Sequence, residues 1–275
     1  MIEIPEAAVL VDQINKTLVG KVIHSVIANH SPHKFAWFAG DPTNYEALLA
    51  GTVVEQAVTY GGMVEIQVEH ARIMVHEGII LRYYEMNEKL PKKHQLLIEF
   101  EDASVITASV QMYGGICCFK EGEYDNKYYL IAQEKPSPLS EQFDDQYFQR
   151  IIADDMLQKK SVKALLATEQ RIPGLGNGVL QDILYNAKIH PKRKVETLTT
   201  TEKDLLFESI KRTLLEMMLH GGRDTEKDLF GHYGGYKTQV SKKTVNLPCE
   251  ICGGKIVKKA YMGGSIYYCE GCQPE

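Results

Sequence analysis

The chain has 275 residues, 44% of them hydrophobic and 24% charged, an ordinary globular composition that excludes collagen-like, low-complexity and coiled-coil chains. Its length suits about two domains. The longest uncharged stretch, residues 103–119, is interrupted by Ser, Thr, Gln and Gly and falls short of the ~20 apolar residues of a membrane span. The opening Met1-Ile2-Glu3-Ile4-Pro5-Glu6 has neither a basic region nor an apolar signal core, so a cytoplasmic location is expected. The net charge of −5 divides unevenly. Residues 1–158 carry 12 basic against 23 acidic side chains, a net of −11, and residues 159–275 carry 19 against 13, a net of +6. Such an asymmetry points to one half that meets a polyanion.

In chain order, Glu6 to Leu18 places Val9, Leu10, Ile14 and Leu18 at helical spacing. Short apolar-alternating runs then fill Ile23 to Phe119: Val22–Ile27, Met63–Val68, Arg72–Val75, Leu96–Phe100 and Val105–Val110. Turn signals at Gly51, Gly61-Gly62 and Glu101-Asp102 separate them, which predicts a β-rich lobe built as a two-layer sandwich. Cys117 and Cys118 fall in an apolar run and read as buried packing. The stretch Glu134-Lys135-Pro136-Ser137-Pro138 reads as a linker. Helical periodicity follows over Phe143–Ile152, Ser161–Thr168, Gly178–Asn186 and Thr201–Leu219, with Ser161 and Thr199 to Thr201 as N-caps.

The turn Ile172-Pro173-Gly174-Leu175-Gly176-Asn177-Gly178 lies between two of these helices. Its glycines let a ligand approach the backbone, and the free N–H groups at the next helix start suit a phosphate. Near it in sequence stand Lys159, Lys160, Lys163 and the basic residues 192–194, a combination that favours nucleic acid as the partner.

Cys249-Glu-Ile-Cys252 and Cys269-Glu-Gly-Cys272 are two C-x2-C pairs at zinc-ribbon spacing, with Ile256-Val257 and Ile266-Tyr267-Tyr268 as strands of the hairpin between them. The lack of a secretory signal argues against disulfides. Four thiolates leave no open position on the metal, so a structural Zn²⁺ is expected. The expected fold is α+β: an N-terminal β-sandwich lobe with an N-terminal helix over residues 1–133, a helical domain over 139–240 and a zinc-ribbon finger over 241–275.

These motifs together resemble the formamidopyrimidine-DNA glycosylase and endonuclease VIII family over nearly the whole chain. Glu3-Ile4-Pro5-Glu6 is similar to that family's N-terminal E-L-P-E. Lys163 with Pro173-Gly174-Leu175-Gly176-Asn177 and Ile189-His190-Pro191 is similar to its helix-two-turn-helix, and the four cysteines to its zinc finger. The resemblance implies a two-lobed monomer that clamps double-stranded DNA carrying a damaged base or abasic site between its β-lobe and helical lobe and flips the base out. It makes Glu3 and Glu6 the candidate acid/base pair, and Lys163, Gly176 and Asn177 candidates for holding phosphates. Gln111 and Tyr113 fall in the segment that fills the lesion void, and Gly221 to Tyr236 resembles the flexible loop that closes on the flipped base.

The amine chemistry departs from the family. The family's N-terminal proline is Ile2 here, its hairpin lysine aligns with Gly62, and its zinc-finger arginine with Gly264. The resemblance therefore implies a base-excision-repair glycosylase that releases the base by hydrolysis, with little or no abasic-site lyase activity. The alternative is a catalytically inactive protein that binds lesion or abasic DNA.

Overall fold

A computed structural model describes all residues 1–275. Helix α1 (Ile4–Thr17) starts two residues before the periodicity indicated. Pro5 suits a first turn, and Glu3 and Glu6 form a reciprocal capping box: each side chain accepts from the other's backbone N–H. The β-lobe follows, with β1 (Ile23–Ala28), β2 (Ala36–Phe38), helix α2 (Tyr45–Leu49), β3 (Val54–Tyr60), β4 (Met63–Val68), β5 (Ala71–Tyr84), β6 (Leu96–Phe100), β7 (Val105–Lys120) and helix α3 (Lys127–Glu134).

The seven strands form one continuous sheet in the order β1-β6-β7-β5-β4-β3, with β2 running parallel beside β7. The two layers expected from the sequence therefore share strands. β5 and β7 are 14 and 16 residues long, and a register shift between Glu77 and Ile79 divides their pairing into two segments. One segment carries β4 and β3, the other β6 and β1. Sequence alternation detected β1, β4, β6 and parts of β5 and β7 but missed β2 and β3, and it missed the continuity of β7, where the bulge at Gln111–Tyr113 interrupts the pattern.

The helical half comprises α4 (Asp145–Ile152), α5 (Val162–Ala167), α6 (Asn177–Asn186) and α7 (Thr200–Leu219). Ser161 caps α5 through Ala164 N–H at 3.2 Å, and Thr199 caps α7 in a second capping box with Glu202. The ribbon ends the chain with β8 (Ile256–Tyr261) paired to β9 (Gly264–Cys269).

Each half has its own apolar core, and each core borrows from the other half. Ile4 of α1 packs in the helical core, whereas Ala7, Leu10 and Ile14 of the same helix pack in the β-lobe core. In return Leu229, which lies beyond α7, is fully buried in the β-lobe core. The two halves are consequently joined by apolar packing that each contributes to the other.

Candidate active site and nucleic-acid interface

The N-terminal corner is built where α1 begins against the start of α6. Glu3 is 3% exposed, and its carboxylate accepts from Gly178 N–H at 2.9 Å and Val179 N–H at 2.7 Å. The helix start that the glycine-rich turn offers to phosphate is thus occupied by an internal carboxylate, which suits the positive end of the helix equally well. Arg223, which the sequence reading placed only in the loop expected to close on the flipped base, completes the corner. Its guanidinium donates to Glu6 Oε1 and Oε2, both at 2.8 Å, and lies 3.7 Å from Glu3. Burial alone would lower the Arg223 guanidinium's pKa, but Glu3 and Glu6 hold it above its ordinary value. Burial pushes the Glu3 carboxyl up, against the lowering influence of Arg223 and the two backbone donors. A buried arginine 220 residues from its partners leaves no local signal in the sequence.

The amines occupy defined positions. The α-amine of Met1 forms an ion pair with Glu226. The Ile2 N–H donates to Glu77 C=O at 2.7 Å, and the Ile2 side chain is buried. A cavity of about 270 Å³ opens beside them, and Met1, Ile2, Glu6, Arg82, Gln111 and Glu226 are among its walls. Glu6 therefore faces the cavity, while Glu3 is buried at the start of α6.

The β3–β4 turn explains Gly62. Gly61 and Gly62 pack directly on Pro173 and Gly174: a Cβ on Gly62 would lie 3.1 Å from Gly174 Cα and 3.2 Å from Ile2 C=O. Gly174 has φ +77°, and a Cβ there would lie 2.0 Å from Gly62 N. Gly176 is equally constrained, since its Cβ would meet the Glu3 carboxyl at 2.6 Å. This glycine makes room for Glu3.

Lys163 and Asn177 come together under the tip of the ribbon hairpin. Lys163 is 4% exposed and donates to Tyr261 C=O at 2.8 Å, and Asn177 Nδ2 donates to Ser265 C=O at 2.8 Å. Burial lowers the Lys163 pKa. As folded, both side chains tie the ribbon to α5 and α6, and the surrounding exposed cations are Lys159, Lys160, Lys194, Lys258 and Lys259. Asn177 Oδ1 is buried and has no partner. The four cysteine Sγ atoms lie within 4.8 Å of one another, close enough to bind one metal ion. Tyr185 of α6 approaches Cys249 Sγ at 3.0 Å and links the cluster to the helical core. Cys117 and Cys118 are buried in the β-lobe, far from this chemistry in the sequence.

Gln111 is exposed, and Tyr113 is half-buried with its ring 5.9 Å from that of Trp37. Trp37 is the only tryptophan of the chain and is 49% exposed. It was not anticipated, because β2 has only three residues and no alternating pattern. Lys34, Lys92 and Lys93 are exposed on the two neighbouring loops, which hydrogen-bond to each other through Asn29–Gln95 and Ser31–His94. The acidic lobe thus carries a local basic and aromatic edge.

This architecture defines a two-lobed protein with a helix-two-turn-helix and a four-thiol ribbon, joined by an acid–arginine–acid cluster in the cleft. Residues 135–228 match the formamidopyrimidine-DNA glycosylase H2TH domain. Over its whole length the chain is 28% identical to a formamidopyrimidine-DNA glycosylase of Bacillus cereus, covering 99% of that protein. It is 31% identical to the namesake of Prochlorococcus marinus over 68% of this chain and 65% of that one. Among solved structures it is similar to Lactococcus lactis Fpg in complex with abasic-site DNA, with a TM-score of 0.85 at 23% identity, over 99% of this chain and 100% of that one. It is also similar to MutM bound to DNA containing carbocyclic 8-oxo-G, with a TM-score of 0.83 at 23% identity and the same coverage. Over its whole length the chain is thus similar to formamidopyrimidine-DNA glycosylases, and residues 135–228 carry that family's H2TH domain.

Proposed function

We propose that the protein is a DNA glycosylase of base excision repair that grips damaged double-stranded DNA between its lobes, flips the damaged base from the stack and releases it by hydrolysis. The observation that carries the hydrolytic reading is the state of the N-terminal corner. The Met1 amine is ion-paired, the Ile2 N–H is bonded to a carbonyl, and the β3–β4 turn has no lysine. A Schiff base needs an unprotonated amine at the sugar carbon. Hydrolysis needs only a carboxylate that exchanges a proton with water, and a carboxyl raised by burial suits that task.

In this reading Glu3 takes a proton from water while the water oxygen bonds to the anomeric carbon. The electron pair of the glycosidic bond leaves with the base nitrogen, which then takes the proton. Glu6 and Arg223 hold Glu3 in place. Lys163, Gly176 and Asn177 shape the surface that meets the flanking phosphates, and Gln111 and Tyr113 the surface that meets the emptied stack. Cys249, Cys252, Cys269 and Cys272 hold a structural Zn²⁺. The protein acts as a monomer, cytoplasmic and nucleoid-associated when bound to DNA.

The test is a panel of duplexes, each with one damaged base or abasic site, read directly and after alkali. Base release without strand cleavage is expected, and Glu3→Gln should lower it by about 10²- to 10⁴-fold with the fold intact. Direct strand cleavage, or borohydride trapping of wild-type protein on abasic DNA, would overturn the hydrolytic reading. Tight lesion binding with no base release would establish the second reading, a catalytically inactive lesion-binding protein. One observation favours that outcome: Glu3 already takes two backbone N–H donors and faces Arg223.

A further inference from the structure

The segment from Gly221 to Tyr236 leaves α7 and crosses to the β-lobe. It closes on itself through Arg223 beside Tyr236 and Lys227 beside Tyr233. Its middle is not a surface loop. Leu229 has no exposed surface and sits in the β-lobe core. Tyr83 N–H donates to Leu229 C=O at 3.0 Å, and Leu229 N–H donates to Gln13 Oε1 at 2.9 Å. Gln13 Nε2 donates to Asp228 Oδ2 at 2.9 Å, and Arg82 Nη1 to Asp228 C=O at 2.7 Å. The Phe230 ring packs edge-on to Tyr83 at 6.1 Å. These contacts carry Glu226 to the α-amine of Met1 and Arg223 to Glu3 and Glu6.

We propose that this segment is a fixed strap rather than a mobile lid, and that Glu226 is a positioning residue holding the α-ammonium of a retained Met1 in the wall of a cavity formed before DNA arrives. Withdrawing a buried leucine into water leaves the open strap about 10- to 100-fold less populated than the seated one. The contact with Glu226 fixes the amine in place, where its charge suits the oxygen-rich sugar–phosphate of a flipped nucleotide. Removal of Met1 would delete that charge and leave the new amine of Ile2 against the Glu77 carbonyl. Only the occupant of the cavity rests on the glycosylase reading; the strap and the amine are properties of the free protein.

The experiment is therefore done first on the full chain without DNA. Intact-mass analysis should find Met1 present and unformylated. Hydrogen exchange should find the amides of residues 226–231 exchanging about 10- to 100-fold more slowly than in Leu229→Ala, and unchanged when an abasic duplex is added. If Leu229→Ala does not fold, Gln13→Leu removes two of the strap's hydrogen bonds and should speed the same amides. Competitive acylation should label the Met1 amine about two- to fivefold more slowly in wild type than in Glu226→Gln. Amides that exchange at open-loop rates in the free protein and gain protection only with DNA would make the segment a lid. Equal labelling of wild type and Glu226→Gln, or a chain that begins at Ile2, would remove Glu226 and Met1 from the site. Because none of these measurements reads base release, the strap can fail while the glycosylase reading stands, and the reverse.

Discussion

Two hairpins reach the turn between α5 and α6, and different forces hold them there. The β3–β4 turn is seated by close packing of backbone on backbone, with Gly61 and Gly62 against Pro173 and Gly174. The β8–β9 ribbon is tied by polar contacts, from Lys163 to Tyr261 and from Asn177 to Ser265, and is organised around its four thiols. Both turns carry glycine where the family resemblance expects a cation, yet the two glycines differ. A Cβ on Gly62 would be tight, at 3.1 Å from Gly174 Cα and 3.2 Å from Ile2 C=O, whereas a Cβ on Gly264 would meet Asn177 and Lys163 at an ordinary 3.7 Å. The close seating of the β3–β4 turn thus disfavours a side chain where the resemblance expects lysine. Loss of the arginine is a local choice on an open surface.

The largest separation of the two hairpins should come from the metal. Structural zinc in small units is worth about 10–16 kcal/mol of apparent binding energy, so Cys249→Ala should unfold the ribbon and release zinc while the β-lobe keeps its melting transition. Zinc content with circular dichroism of the variant checks this. An unchanged ribbon with no zinc in the wild type would break the comparison. Next in size is Gly174→Ala. A side chain at positive φ that overlaps the Gly61–Gly62 backbone should cost about 2–5 kcal/mol, read by denaturant unfolding, whereas Gly264→Ala should stay within about 0.5 kcal/mol.

A pH dependence with a wide window should come from the packed side. His76, on β5 opposite Gly115, has its pKa lowered by burial from 6.5 to about 4. Between these values the unfolded chain binds a proton that the folded chain does not. Stability should therefore fall as pH drops from about 6.5 to 4, by about 3 kcal/mol at most, and the fall should shrink in His76→Phe. Its side chain is 19% exposed, so solvent reduces the full value. The smallest effect is on the open side. Gly264→Arg should tighten binding to any duplex by about tenfold and steepen its salt dependence by about one phosphate, as measured by titration at two salt concentrations. No gain would mean that the ribbon tip faces away from DNA.

Much of the helical half was legible because its signals are local. Ser161 and Thr199 cap the helices they precede, apolar residues recur at helical spacing, and the cysteine pairs state their own geometry. The β-lobe was legible in pieces. Its strands alternate, but the continuity of β5 and β7 through a register shift depends on pairings tens of residues apart. The site was least legible where the chain brings distant charges together. Glu3 and Glu6 stood out from the opening motif, but Arg223 and Glu226, which fix them and the Met1 amine, carry no local pattern.

By itself, then, the sequence determined the α+β order of elements, the capped helices and the four-thiol ribbon, since periodicity, capping and ligand spacing act within a few residues, whereas the two lobes and the helix-two-turn-helix came from the family resemblance. Tertiary structure alone decided that the start of α6 receives Glu3 rather than remaining open, that Lys163 and Asn177 turn to the ribbon, and that Leu229 anchors its segment in the opposite lobe. Those outcomes depend on burial and on polar contacts closed across 88 to 217 residues, and only the folded chain brings those partners within reach of one another.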